Sequence, residues 1–279
     1  MRTTKFTNLG RELDPGVPTN LAIIGLSPLV GVIFAIAAFV RDPQFQVAIW
    51  AGFHSSLTFF LGWAIAREYD PDNPNAAFLA ASGTLIPHTL DYRSNLLPLV
   101  WALLFLRIIN RSTGVGAKST DLVAVVSLGI WLSWSFNWIV GFLSAGALTV
   151  DGLLGSKDRI RFVLAILATA ASFATLKFGS DALSLPTARL RYFITAALLV
   201  VLWIPHWMTS AQLTSKCDYT NEPIDAKRVR WAQIFLLIST LLLGTQSGNE
   251  GYSIMLAAGT VVAASAVYRV LSGLYQVLA

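Results

Sequence analysis

Six carboxylates in two short segments are the side chains of this sequence best suited to hold a metal ion. The segments read "REYDPDNPN" and "CDYTNEPIDAKR". Mg²⁺ prefers oxygen ligands, and one or two carboxylates often join it to a substrate phosphate, which Lys227 or Arg228 could then contact. The candidate metal ligands are Glu68, Asp70, Asp72, Asp218, Glu222 and Asp225. The plainer interpretation is that they are solvated loop carboxylates, because charges at the ends of membrane spans need no other role.

Three histidines lie within or beside apolar segments. His54 stands near the middle of one, close to Ser55 and Thr58, whereas His88 and His206 each follow a proline. Ionisable groups inside a membrane are expensive and usually face the protein interior. His54 is therefore expected either to line a cavity, where it would bind a pigment or metal or relay protons, or to form a hydrogen bond between helices. The candidate cavity and ligand-binding residues are His54, Ser55, Thr58, His88, Asn137 and His206.

A five-residue pattern, Arg-Glu-x-Asp-Pro, occurs twice in the chain, at 11–15 and at 67–71. Asp before Pro disfavours the helical backbone, and Pro often begins the next element. The pattern therefore predicts a helix boundary at each copy, with both copies on the same side of a membrane.

The composition of the 279 residues is that of a membrane protein. Hydrophobic residues make up 55% of the chain and charged residues 13%, against roughly 25% charged residues in soluble domains. The mean hydropathy is +0.62. The net charge of +5 comes from basic residues between apolar segments, where they orient the chain, so a nucleic-acid partner is not expected. A single cysteine, Cys217, excludes an intramolecular disulfide and a thiolate metal cage.

Six apolar segments are long enough to be membrane helices, which predicts an all-α, polytopic membrane protein. They cover 20–40, 46–66, 161–177, 192–209, 229–244 and 251–268. The segment 1–19 is predicted to be a cytoplasmic N-terminal segment, and 20–279 a single transmembrane helical domain.

Two further apolar regions decide the number of spans. Region 75–110 is interrupted by "PHTLDYRSN", in which Asp91 and Arg93 would be costly at mid-depth. Region 121–150 would form a helix of roughly 45 Å, longer than a hydrocarbon core of about 30 Å. Splitting both regions, the second near Ser135, gives about ten short transmembrane segments, and leaving both whole gives eight. Ten is favoured, because most of the 20 lysines and arginines then lie on the cytoplasmic side.

These features support three hypotheses about function. The leading one is a transporter or facilitator of a small or lipid-like molecule, because interrupted helix pairs often mark a midplane binding site. It predicts that His54, Asn137 and His206 converge on one cavity. The second is a membrane-embedded transferase for a polyprenyl or lipid phosphate, the one case in which a cofactor, Mg²⁺, is implied. The third is a non-catalytic subunit or assembly factor. The expected partners are membrane lipids, with partner subunits or a homo-oligomer as further alternatives.

Overall fold

The computed structural model describes residues 6–89, 95–155, 158–178, 190–209 and 213–278, and the chain in these ranges is helical. The only β pairing among them is an isolated bridge between Lys216 and Pro223. The helices are α1 (Pro18–Arg41), α2 (Phe45–Tyr69), α3 (Ala76–Gly83), α4 (Ile86–Thr89), α5 (Leu96–Asn110), α6 (Ser119–Ser135), α7 (Ile139–Leu153), α8 (Arg159–Phe178), α9 (Leu190–Thr209), α10 (Ala226–Gln246) and α11 (Gly248–Leu278). The all-α prediction is confirmed.

Six of these helices are long and apolar enough to cross a membrane, namely α1, α2, α8, α9, α10 and α11. They coincide with the six predicted spans, and most of them extend a few residues beyond the predicted ends. Large apolar side chains stay exposed on their outer faces, such as Ile36 on α1 and Ile166 on α8, at 60% and 68%. Since water would disfavour such faces and lipid would not, the helices indicate an integral membrane protein.

The remaining helices are shorter than a bilayer is thick, so the predicted count of about ten spans is not confirmed. Helices α5, α6 and α7 contain 15, 17 and 15 residues, or about 22 to 26 Å each. The predicted interruption near Ser135 is present, because α6 ends there and α7 begins at Ile139. Asp91 and Arg93, which predicted the other interruption, lie outside the described residues.

Charged side chains from distant parts of the chain meet at one end of the bundle, the charged end. It comprises 6–17, the C-terminal ends of α2, α5 and α7, and the N-terminal ends of α6, α8 and α10. Hydrogen bonds join its segments: Asn8 Nδ2 donates to the Gly116 carbonyl and the Tyr219 hydroxyl to the Gly10 carbonyl, both at 2.9 Å. The N-terminal segment is therefore packed across this end of the bundle.

Helices α1 and α2 approach each other most closely at two glycines. A Cβ placed on Gly52 would lie 2.5 Å from the carbonyl oxygen of Gly31 and 2.9 Å from the Cβ of Ala35. The backbones can come this close only because neither glycine has a side chain. This contact fixes the position of α1, whose opposite face carries its exposed apolar residues.

We expect Gly52→Ala to destabilise the protein by about 1–3 kcal/mol, because the added methyl group must push α1 away from α2. Thermal unfolding in detergent measures the effect. Gly25→Ala on α1 is the matched control, since a Cβ there has no atom within 4 Å. Equal stability of the two variants would contradict the close helix contact.

Candidate functional site

Glu68, near the end of α2, is a carboxylate almost completely removed from solvent, at 1% exposure. Its Oε1 accepts hydrogen bonds from Arg11 Nη1 at 3.1 Å and from Arg107 Nε at 3.2 Å. Asn110 Nδ2 donates to the backbone carbonyl of Glu68 at 2.7 Å. Because a buried charge is stable only when it is paired and hydrogen-bonded, Glu68 ties the N-terminal segment to α2 and α5.

Arg11 also binds the second acidic segment. Its Nε and Nη2 donate to the two carboxylate oxygens of Asp218, at 2.6 and 2.8 Å. Burial alone would lower the pKa of Arg11, but Glu68 and Asp218 outweigh burial and raise this pKa above its ordinary value. The two predicted metal-binding segments therefore do meet, and an arginine joins one carboxylate from each of them.

The repeated Arg-Glu-x-Asp-Pro pattern acquires a structural meaning in this contact. Arg11 belongs to the first copy and Glu68 to the second, so the two copies pair with each other. The predicted boundaries are nearly right: α1 begins at Pro18, a few residues after the first copy, and α2 ends inside the second copy at Tyr69.

The two other carboxylates of the first segment also have partners. Asp70, 1% exposed, accepts hydrogen bonds from Arg269 Nη2 and from Asn73 Nδ2, each at 3.0 Å. Asp72 accepts from the backbone N–H groups of Thr214 and Ser215, at 3.0 and 2.8 Å. Asp70 is thus not the solvated loop group of the plainer interpretation, and Asp72 anchors the loop before α10.

The two remaining carboxylates of the second segment lie outside this network. Asp225 caps α10, accepting from the backbone N–H of Lys227 at 2.9 Å, and the Glu222 side chain is exposed. Among the described residues, no group of three or more His, Cys, Asp or Glu side chains is arranged to hold a metal ion. Apart from the exposed Glu222, the predicted carboxylates are instead bound by arginines or by backbone N–H groups.

Two of the three histidines form a pair. His54 Nδ1 and His88 Nε2 lie 2.8 Å apart, a hydrogen-bond distance that joins α2 to α4. The Thr58 hydroxyl donates to the His54 carbonyl at 2.9 Å. Ser55, the residue after His54, is buried. The ring of Phe34, on α1, meets the His88 ring edge-on at 6.1 Å. This pairing agrees with the interpretation that His54 forms an interhelical hydrogen bond, with histidine rather than serine or threonine as the partner.

His206 lies far from that pair, at the charged end. Its ring stacks on Tyr69 with 4.8 Å between the ring centroids, and its Nε2 lies 3.1 Å from Gln233 Nε2. Since His54 and Tyr69 are separated by fifteen positions of α2, the two histidines are about 22 Å apart along that helix. Asn137 lies in the turn between α6 and α7, where it accepts from the Ile139 N–H at 2.9 Å. These residues do not converge, so the predicted single cavity is not formed.

A cleft of about 270 Å³ lies at the charged end, between the N-terminal segment, α1, α2 and α5. Phe60, Trp63 and Leu103 are large apolar residues of its lining. The charged residues of the lining are Arg11, Glu12, Arg67, Glu68, Arg107 and Asp218. A cleft lined by both apolar and charged side chains suits an amphiphilic ligand.

Apart from Glu68 and Asp218, the residues of this cleft were not predicted from the sequence. The arginines of the cleft were expected only to orient the chain in the membrane, because positive charge at a span end is ordinary in membrane proteins. The signal that was present in the sequence is the repeat, which places an arginine and a glutamate at both copies.

Asp151, near the end of α7, is a further buried carboxylate, and it binds three arginines at 0% exposure. Arg111 Nη2 and Arg228 Nη1 donate to its Oδ1 at 2.9 and 2.8 Å, and Arg161 Nε donates to its Oδ2. The arginines come from the segment after α5, from α8 and from α10, so this carboxylate fixes three further segments at the charged end. Asp151 was not among the residues predicted from the sequence, in which it directly follows the apolar region 121–150.

No protein-family model matches the chain, and comparisons with curated proteins and with solved structures give no match.

We expect Asp151→Asn to lower the free energy of unfolding by about 3–5 kcal/mol, because it leaves three clustered arginines without their shared counter-charge. Thermal or denaturant unfolding in detergent measures this loss. Asp158→Asn is the control: Asp158 also pairs with Arg161, at 3.0 Å, but is 52% exposed, so its loss should cost about 0–1 kcal/mol. Similar losses in both variants would contradict a structural role specific to Asp151.

The hydrogen bonds to Asp72 predict a pH dependence. Burial alone would raise the pKa of Asp72, but the donors Thr214 and Ser215 lower it below the ordinary value of 3.8. A lowered pKa in the folded state stabilises the fold above the ordinary pKa, and this contribution disappears as the pH falls through the folded value.

We therefore expect Asp72→Ala to be less stable than the wild type at pH 7, with a deficit that shrinks below about pH 4. Thermal unfolding of both proteins between pH 7 and pH 3 provides the measurement. Asp14→Ala is the control, because exposed Asp14 accepts only a local hydrogen bond, from the Gly16 N–H. A deficit that grew on acidification would show that the assigned hydrogen bonds are wrong.

Proposed function

We propose that this integral membrane protein is a facilitator that lets a lipid-like molecule cross the membrane and that the cleft at the charged end, instead of the cavity predicted at His54, Asn137 and His206, admits this molecule. The observation that supports the proposal is the mixed lining of the cleft, in which Phe60 and Trp63 lie near arginines such as Arg67. Both a polar headgroup and an apolar chain would find a matching surface there.

The position of the cleft also supports this function. Arg67 lies near the C-terminal end of α2, and Val17 and Asn20 border the cleft at the start of α1. Both helices are candidate membrane spans, so their ends lie near the level of the lipid headgroups. An amphiphile in the bilayer would therefore reach the cleft without leaving the membrane surface.

The proposal includes a topology. In it, α3 and α4 together form one segment that pairs with α5, and α6 pairs with α7. Both pairs enter from the charged end as short hairpins, which gives ten segments together with the six long helices. The charged end faces the cytoplasm and carries the N-terminus, in agreement with the excess of lysine and arginine there. Short hairpins of this kind suit a transporter, because interrupted helices often surround a translocation site.

The geometry favours this function over the Mg²⁺-dependent transferase. In such an enzyme, Glu68 and Asp218 would supply carboxylate oxygens to the metal. Arg11 is bound to both of them, and a cation would have to displace it. Filling the space between two carboxylates with a guanidinium neutralises the charge on which metal binding depends.

Reconstitution into liposomes tests the proposed function. A short-chain fluorescent lipid in both leaflets is bleached by an impermeant reductant, and a facilitator exposes the inner-leaflet fraction as well. We expect wild-type protein to accelerate this second phase over protein-free liposomes. Asn20→Trp fills the cleft and should abolish most of the acceleration. Leu21→Trp is the matched control, because Leu21 is the next residue of α1 and is 57% exposed outside the cleft.

Two results would contradict the proposal. Wild-type liposomes that behave like protein-free liposomes for every lipid tested would remove facilitation altogether. Equal acceleration by Asn20→Trp and by the wild type would remove the cleft from the pathway.

A further inference from the structure

Arg67 differs from the other two arginines of the cleft, because it forms no ion pair with any described residue. It is half-buried, and its Nη1 donates one long hydrogen bond, at 3.3 Å, to the hydroxyl of Thr19 on α1. Its guanidinium lies over the ring of Trp63, 5.6 Å from the centroid. No carboxylate among the described residues lies within 4 Å of it. Among the described residues, Arg67 therefore contacts an aromatic ring and a hydroxyl group but no carboxylate.

The neighbouring charges of the cleft are already neutralised. Glu68 is shared between Arg11 and Arg107, and both oxygens of Asp218 are bound to Arg11. These three links form one network in which two arginines balance two carboxylates. Glu12, at the rim, is exposed to solvent. The whole lining holds three arginines and three carboxylates, but Arg67 is the arginine that has no carboxylate of the described residues within ion-pair distance.

From this arrangement we propose that the ligand of the cleft is an amphiphile with a phosphate headgroup, bound by Arg67. The inference rests on the proposed function and names its substrate class. A guanidinium presents several N–H donors in one plane and matches the oxygens of a phosphate in a two-pronged contact. The cation–π contact with Trp63 limits the motion of the guanidinium, which reduces the freedom lost when the phosphate binds.

The size of the cleft assigns the headgroup, rather than the whole molecule, to this site. Its volume of about 270 Å³ is slightly below the roughly 300 Å³ at which pockets for drug-sized ligands begin. A phosphate with a few further atoms fits this space, but two acyl chains do not. The hydrocarbon chain of the amphiphile accordingly passes along the apolar side chains of Phe60 and Leu103 and remains in the bilayer.

Binding of three probes to purified protein in a neutral detergent tests the substrate class. The probes are dodecyl phosphate, dodecanol and inorganic phosphate, with affinities measured by calorimetry. The result expected is that dodecyl phosphate binds and dodecanol does not. Binding of dodecyl phosphate more tightly than inorganic phosphate identifies a lipid phosphate, and equal binding identifies a free phosphate as the source of the same chemistry. Equal binding of dodecanol and dodecyl phosphate would overturn the proposal.

Three variants locate the binding site. Arg67→Gln should weaken dodecyl phosphate binding by about tenfold or more, the factor expected for one lost charge-assisted hydrogen bond. Arg67→Lys keeps the charge but not the two-pronged geometry, so it should retain part of the affinity. Arg159→Gln is the matched control, since it removes one exposed positive charge from the same end of the bundle, outside the cleft. Equal losses in Arg67→Gln and Arg159→Gln would overturn the assignment to Arg67.

Thermal unfolding without ligand shows whether each variant is folded. Should Arg67→Gln prove unstable, Arg67→Lys tests the proposal alone, and unchanged dodecyl phosphate binding in that variant would overturn it.

The inference and the proposed function fail in different ways. Arg67-dependent phosphate binding without lipid movement in liposomes would contradict facilitation and support the substrate class. Conversely, movement of uncharged and phosphate lipids at equal rates, blocked by Asn20→Trp but not by Arg67→Gln, would support facilitation and contradict the substrate class.

Discussion

The charged end of the bundle depends on buried carboxylates, and two of them, Glu68 and Asp151, each bind more than one arginine. Glu68 and Asp151 are 1% and 0% exposed, and a buried carboxylate is tolerable only when cations and hydrogen bonds replace its hydration. Arg11 and Arg107 do this for Glu68, and three arginines do it for Asp151. Because these partners come from separate helices and from the N-terminal segment, pairing the two carboxylates also fixes how those elements meet.

The cleft follows from this arrangement. Arg11 draws the N-terminal segment across the bundle, so that the segment becomes one wall of the cleft instead of a free tail. Helices α2 and α5 provide the other walls, since Glu68 and Arg107 hold their ends together. The same ion pairs neutralise Glu68 and Asp218. Arg67 forms no ion pair with the described residues, so it is the cation of the cleft that a ligand can bind. A structural constraint thereby produces a recognition site.

Sequence patterns predicted the parts of this protein that are decided locally. Each long span is an apolar segment of fixed minimum length, and the interruption near Ser135 follows from a region too long for one bilayer. The ion pairs could not be predicted, because Glu68 and Arg107 are 39 positions apart and nothing local distinguishes one span-end arginine from another. The prediction that His54 and His206 converge was wrong, because apolar spacing alone does not give the depth at which each helix places its residues.

Native mass spectrometry of the protein extracted gently from membranes measures the central claim most directly, because it identifies the lipids that the cleft retains. Wild-type protein should carry one phosphate-bearing lipid that Arg67→Gln loses and Arg159→Gln keeps, while the three proteins unfold at similar temperatures. The same set of retained lipids on all three proteins, or no retained phosphate lipid on the wild type, would contradict the account.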